Sequence, residues 1–188
     1  MTVPSYPHRL HAFQPTRVWT IEDGGVRWEV QGEDARSGFI PRDKLRSVRL
    51  RFEPSRAERR RVGLHIYTPI DHHITNIDYQ GVMNFKHRPD ALKAFVIAFH
   101  NQCAEEAKTV FYQGSTMGAY IGNIAITAFI VLLLLFLAPI MSVTGIPGGT
   151  SIFRIAVILI FLPVVFKLLK KNKPGTYRPD APPLDILT

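Results

Sequence analysis

Apolar residues recur at every second position through the first half of the chain, then at helical spacing, and finally without interruption. In Arg17–Glu22, Trp19 and Ile21 share one side of an extended segment and Val18, Thr20 and Glu22 the other. Asp23-Gly24-Gly25 is a turn, and Val26, Trp28 and Val30 resume the alternation, so the stretch predicts a β-hairpin. A further strand or bend starts at Gly38-Phe-Ile-Pro41. Val48, Leu50 and Phe52 alternate with Arg49 and Arg51, the pattern of a half-buried strand with a basic outer side. Val62, Leu64 and Ile66 predict a strand after the loop 53–61, and pairing of 48–52 with 62–66 would make that loop a basic tip. Ile74–Ile77 and Val82–Phe85 carry weaker strand signals. After Pro89 the period becomes helical: Leu92, Phe95, Val96, Phe99, Cys103, Ala107 and Val110 line one side, with Asp90 as the cap.

The uninterrupted stretch lies between Lys108 and Lys167, fifty-eight residues holding one charge, Arg154. A helix needs roughly 20 residues to cross a hydrocarbon core about 30 Å thick. Residues 117–141 meet that length, and Ile130–Leu137 is apolar all round. The second candidate is shorter, because only Ile155–Phe166 is free of charge, about 18 Å of helix. Outward snorkelling of Arg154 and Lys167 extends it to Ile152–Leu169, and Pro163 is tolerated inside a span. The expectation is a two-helix transmembrane hairpin with 142–151 as its connector. A re-entrant second segment would leave the ends on the same side, so topology alone does not separate the two.

Flanking charge orients this segment. Lys167, Lys170, Lys171, Lys173 and Arg178 lie at its C-terminal end and beyond, while the connector carries no Lys or Arg. Positive residues stay cytoplasmic, which puts both termini inside, and Arg154, Lys167, Lys170 and Lys171 become membrane-edge anchors. The opening Met1–His8 lacks the apolar run of a signal peptide, and a single Cys103 makes no intrachain disulfide. A multi-pass protein of the bacterial inner membrane is expected. It comprises an irregular segment 1–16, a cytoplasmic domain 17–113, helices 117–141 and 152–169, and a basic cytoplasmic tail 170–188.

Several short strands closed by one amphipathic helix resemble a pleckstrin-homology-like domain. The resemblance runs over 17–113 and rests on the Trp19–Val30 hairpin, Ile40-Pro41 followed by Leu45-Arg-Ser-Val-Arg-Leu50, and the helix at 90–112. It is to the bacterial, membrane-flanked members, many of which carry their membrane helices before the domain, whereas here they come after it. The fold this implies is α+β: a small bent β-sheet or barrel closed by a C-terminal helix, then the hairpin. In pleckstrin-homology domains proper, loops near the arginine-rich tip bind phosphoinositides, which the resemblance carries to Arg49, Arg51, Arg56, Arg59, Arg60 and Arg61 as candidates for contact with anionic lipid. The plain alternative is a solvated edge strand that its charges protect from aggregation.

Composition narrows the chemistry. The net charge is +8, shared equally between the soluble region and the membrane segment with its tail, and no nucleic-acid motif accompanies it. Asp71-His72-His73 with Asp78 is the nearest approach to a metal set, yet neighbouring histidines in a strand point to opposite sides. No nucleophile–base arrangement, catalytic residue, metal or cofactor is assigned. Gly118 and Gly122, with Asn123, are candidates for close helix packing, within the pair or between copies of a homo-oligomer. The expected function is therefore non-catalytic: a membrane-anchored scaffold that docks a protein partner, anionic lipid or both. The alternative is an accessory subunit of a larger membrane complex, recognised through its helices.

Overall fold

A computed structural model of the chain describes residues 5–11, 13–32, 35–55, 58–81, 84–104, 108–142 and 149–187, with side chains at 136–142 and 149–157 outside the description. The chain divides into two units, residues 1–114 together with 175–188, and residues 115–174.

The first unit is α+β, and its described residues form three sheets. Strands β1 (Ser5–His8), β2 (Arg17–Glu22), β3 (Gly25–Val30) and β4 (Arg36–Pro41) form an antiparallel meander. Gly24 sits at φ +90°, the left-handed conformation that lets Asp23-Gly24 reverse the chain between β2 and β3. Trp19 pairs with Trp28 in that hairpin, and Trp19 and Ile21 are buried as the alternation requires. The second sheet has the order β11-β10-β5-β6-β7, built from β5 (Ser47–Phe52), β6 (Val62–Tyr67), β7 (Asp71–Thr75), β10 (Val110–Gln113) and β11 (Gly175–Thr176). The 48–52 and 62–66 pairing forms with Leu50 opposite Leu64. Strands β8 (Ile77–Gly81) and β9 (Asn84–His87) make a small third sheet; the expected strand over Val82–Phe85 falls partly outside the described residues.

Helix α1 (Pro89–Cys103) lays Leu92, Phe95, Val96, Phe99 and Cys103 into the core, where Phe95 meets Tyr6 at 5.9 Å between ring centroids. Each such fully buried side chain contributes about 1.5–3 kcal/mol. The helix begins on Pro89, whose fixed φ suits the first helical position, so Asp90 lies in the first turn beside the positive end of the helix dipole and is not the cap.

Further expectations change. Residues 5–8, read as irregular, are a strand; Pro7 is accommodated because β1 is the edge of its sheet. The closing helix stops at Cys103, and Val110 belongs to β10, which runs parallel to β5. Strand β5 is therefore flanked on both sides and is no edge. No closed barrel forms among the described residues, which distribute their strands over separate sheets. Finally, the basic tail folds back onto the domain: β11 pairs with β10, Gln113 opposite Gly175, and Ile186 and Leu187 are buried. His100 on α1 donates from Nδ1 to Val96 O (2.7 Å) and accepts the Tyr177 hydroxyl on Nε2 (2.8 Å).

The second unit contains α2 (Met117–Ser142) and α3 (Gly149–Lys171). Ser115 donates from its backbone N–H (3.0 Å) and its hydroxyl (3.1 Å) to Asn172 O, tying the start of α2 to the end of α3. Among the described residues one helix, over Met117–Leu135, is long and apolar enough to cross a membrane. Two such helices were expected; α2 meets the criterion and α3 does not among the described residues. Helix α3 reaches Lys167, Lys170 and Lys171 in its last turns, and its charge-free centre is short.

Two side-chain changes measure the tail. Tyr177→Phe leaves His100 Nε2 without its buried partner and is expected to cost about 1–3 kcal/mol. Ile186→Ala should cost about 2–5 kcal/mol through the cavity it opens. Urea unfolding of the detergent-solubilised chain checks both; a detached tail would show neither loss.

Candidate functional site

Strands β5, β6 and β7 turn Val48, Leu50, Phe52, Val62, Leu64, Ile66 and Ile74 into the core. Their other side carries Arg49, Arg51, His65, Tyr67, Asp71 and His73. The register sets Arg49 opposite His65 and His65 opposite His73, so these three form a row across the sheet. Just past β5, Glu53 is anchored by its backbone N–H to Arg61 O at 2.9 Å. Its carboxylate accepts from His65 Nε2 on Oε1 (2.8 Å) and from His73 Nε2 on Oε2 (2.9 Å). The two imidazoles stack with centroids 4.2 Å apart and planes inclined by 11°. Asp71 Oδ2 lies 3.4 Å from His65 Nδ1, and Arg51 Nε lies 4.0 Å from Glu53 Oε1.

Gly63 makes this arrangement possible. A Cβ there would stand 2.7 Å from both Glu53 Oε2 and His73 Nε2, so any larger residue would displace the carboxylate or the ring. Burial by itself would push the Glu53 carboxyl up. The hydrogen bonds from His65 and His73, and their charges, outweigh it and hold the group well below the ordinary carboxylate range.

Beside this cluster is a cavity of about 80 Å³ lined by His8, Arg17, Trp19 and His73 among others. The Thr75 hydroxyl donates to Ile77 O, so His8 Nε2 is the donor in its 2.9 Å contact with Thr75 Oγ1. Burial, then the charges of His73, Arg61 and Arg17, lowers His8 to about 3, and it is neutral at pH 7. Arg17 lies over the rings of Trp19 (5.4 Å) and Trp28 (4.8 Å).

The arginines that form a run in the sequence are dispersed in space. Arg49 stacks on Tyr112 at 4.8 Å and donates to Gly114 O at 3.2 Å, so its guanidinium is held within the domain. Arg51 is half exposed beside Glu53. Arg59 and Arg60 are exposed in the turn before β6, Arg61 is partly buried, and Arg56 lies outside the described residues. Added Cβ atoms on Gly118 and Gly122 would meet nothing within 4 Å, and neither glycine seats a neighbouring helix among the described residues. Asn123 is exposed and its carbonyl accepts the Thr127 hydroxyl at 2.7 Å. Lys167 and Lys170 are exposed near the end of α3 and Lys171 closes it, while the Arg154 side chain is outside the description.

The set Asp71-His72-His73-Asp78 does not converge. His72 meets Trp19 edge-on at 5.7 Å on the side opposite His73, and Asp78 pairs with Arg88 at 2.8 Å. Its place is taken by Glu53, His65 and His73, whose ligating atoms all lie within 4.8 Å of one another. The sequence pattern alone does not join Glu53 and His65 to His73. One signal is present: positions 65 and 73 are equidistant from Pro69, which puts them opposite each other in a β6–β7 hairpin. No family model matches the chain, and no curated protein or solved structure is detectably similar to it.

Gly63→Ala is expected to cost about 1–3 kcal/mol by forcing the carboxylate off its seat, read from the urea midpoint. Acid should weaken the fold in two stages. The unfolded chain protonates His8 near its ordinary 6.5 and the folded chain only near 3. Stability is therefore complete above about pH 6.5 and falls as pH drops below it, by about 2 kcal/mol from this residue at pH 5. Glu53 acts the same way lower down: its contribution is present above 4.5 and fades as pH falls beneath that value. Urea midpoints at pH 7 and 5 should differ less in His8→Gln than in the parent protein.

Proposed function

We propose that this chain is a membrane-anchored, non-catalytic binding protein of a bacterial cytoplasmic membrane, whose pleckstrin-homology-like domain docks a protein partner, anionic lipid or both. One observation carries the reading: residues 115–174 are inserted between two hydrogen-bonded strands, since β10 ends where β11 begins, Gln113 opposite Gly175. A segment that leaves and returns at one sheet edge has both ends on one side of a bilayer. If α2 crosses, α3 has to bring the chain back, despite its marginal apolar length. Lys167, Lys170, Lys171 and Lys173 at that end favour the cytoplasmic side. The four-stranded meander, the second sheet and the amphipathic α1 support the likeness to pleckstrin-homology folds, with β10 and β11 as additions.

Of the arginines that are candidates for lipid contact, Arg59 and Arg60 are exposed, each contributing about 1 kcal/mol near an anionic surface. The second reading, an accessory subunit recognised through its helices, draws on Gly118 and Gly122, which leave an open small-residue strip on α2.

Two measurements separate the readings. In the full chain, tags at both termini should be accessible from the cytoplasmic side only; tags on opposite sides would overturn the shared-edge topology. A soluble form joining Gly114 to Gly175 through a short Gly-Ser linker keeps the tail that 1–113 would lack. It should float with anionic and not zwitterionic vesicles, and Arg59→Ala with Arg60→Ala should weaken binding roughly 30-fold. Absence of flotation, with co-purification of membrane partners that depends on Gly118 and Gly122, would favour the accessory subunit.

A further inference from the structure

Glu53, His65 and His73 sit where three neighbouring strands bring two imidazoles and a carboxylate together, and the proposed docking role does not use them. We propose that these three side chains are a binding site for a divalent transition-metal ion of the zinc class, with Asp71 orienting His65. The donor set is borderline in character: imidazole nitrogens and one carboxylate suit zinc, cobalt or nickel, whereas magnesium and calcium seek oxygen donors.

The backbone prepares the site. Directly opposed residues in an antiparallel pair have Cβ atoms about 5 Å apart on the same side of the sheet, and His65 and His73 are such a pair. Gly63 keeps the floor clear, since a Cβ would collide with both Glu53 Oε2 and His73 Nε2 at 2.7 Å. All three groups are largely shielded from solvent, with side-chain exposures of 17%, 12% and 22% for Glu53, His65 and His73. The remaining nitrogen of His65, Nδ1, faces Asp71 Oδ2 at 3.4 Å, the carboxylate–imidazole arrangement that orients metal-bound histidines.

Without metal the cluster is a hydrogen-bonded one. Each Nε2–H points at its own carboxylate oxygen, and rings with nearly parallel planes hold lone pairs that do not meet at one point. One imidazole has to turn about χ2 for both nitrogens to converge, a motion along a broad sp³–sp² torsion. The ligand atoms then close to the separations set by metal–ligand bonds of about 2.0–2.2 Å. Each ring binds the ion through a bare Nε2, its proton passing to Nδ1 through solvent, so both imidazoles stay neutral ligands; at His65 the Nδ1–H then donates to Asp71 Oδ2. Arg51, 4.0 Å from Glu53, opposes a cation, so binding requires this half-exposed side chain to turn toward solvent. Three protein ligands leave a fourth position for water.

The test uses the full chain in mild detergent, purified without an oligohistidine tag and stripped with chelator. Calorimetry with zinc should give one saturable site. Cobalt should give the visible absorption of a four-coordinate nitrogen/oxygen site, and zinc should abolish it. Asp71→Asn should weaken binding roughly 10–100-fold. His65→Gln and His73→Gln should each weaken it more, whereas His72→Gln, on the opposite side of the same strand, should leave it unchanged. Zinc should also raise the melting temperature of the parent protein. This readout needs no variant, so a misfolded variant does not leave the proposal undecided. Absence of a saturable site in the parent protein, or binding that survives both His65→Gln and His73→Gln, would overturn the assignment.

Discussion

The pairing of β10 with β11 is the contact on which the rest of the organisation depends. It closes the five-stranded sheet with a segment drawn from beyond the apolar region, so residues that are distant in sequence complete one domain. The short β11 contributes few backbone hydrogen bonds, and the join is held by the residues C-terminal to it. Tyr177 reaches His100 and packs near Phe111, and Ile186 and Leu187 fill the core. Buried His100 is lowered to about 4 by desolvation, so as a neutral ring it accepts the hydrogen bond that the Tyr177 hydroxyl donates. The consequence reaches the membrane question directly, because an insertion between paired strands has its two ends fixed together.

The same sheet has to manage the charge on its outward side. Strand alternation places Arg49, Arg51, His65 and His73 away from the core, side by side across the sheet. Glu53 is the acid that the two histidines share, and the absence of a side chain on Gly63 is what admits it. Arg49 is neutralised differently, by Gly114 O and the Tyr112 ring, so a run of arginines in sequence becomes a set of separately employed cations. Among the described residues Arg59 and Arg60, in the turn before β6, keep exposed positive charge for an external surface, and Arg46 is exposed as well.

Legibility tracked the range of each interaction. The β2–β3 hairpin was readable because Asp23-Gly24 and strict alternation are local, and so was the β5–β6 pairing, whose flanks match across one loop. The buried face of α1 was readable from its spacing, up to Cys103. Val110 misled because its spacing continued the helical row, whereas β5 offered an unfilled edge that only the assembled sheet reveals. Strand β1 was hidden by two prolines near the start, and the tail by a lysine-rich approach that reads as solvated. The Glu53 cluster needed register: alternation says which side a histidine faces, and pairing says which histidine it meets.

By itself the sequence determined the α+β character of the first unit, the tight hairpin turns, the amphipathic helix and the apolar stretch over 117–135, all of which arise from neighbours within a few turns of chain. Tertiary structure decided which strand fills which edge, that the last residues return to the first domain, and that Glu53, His65 and His73 share one site. The reason is physical: alternation and helical period are set by backbone geometry at each residue. Pairing across the sheet is settled only when distant segments compete for the same open hydrogen bonds and the same buried space.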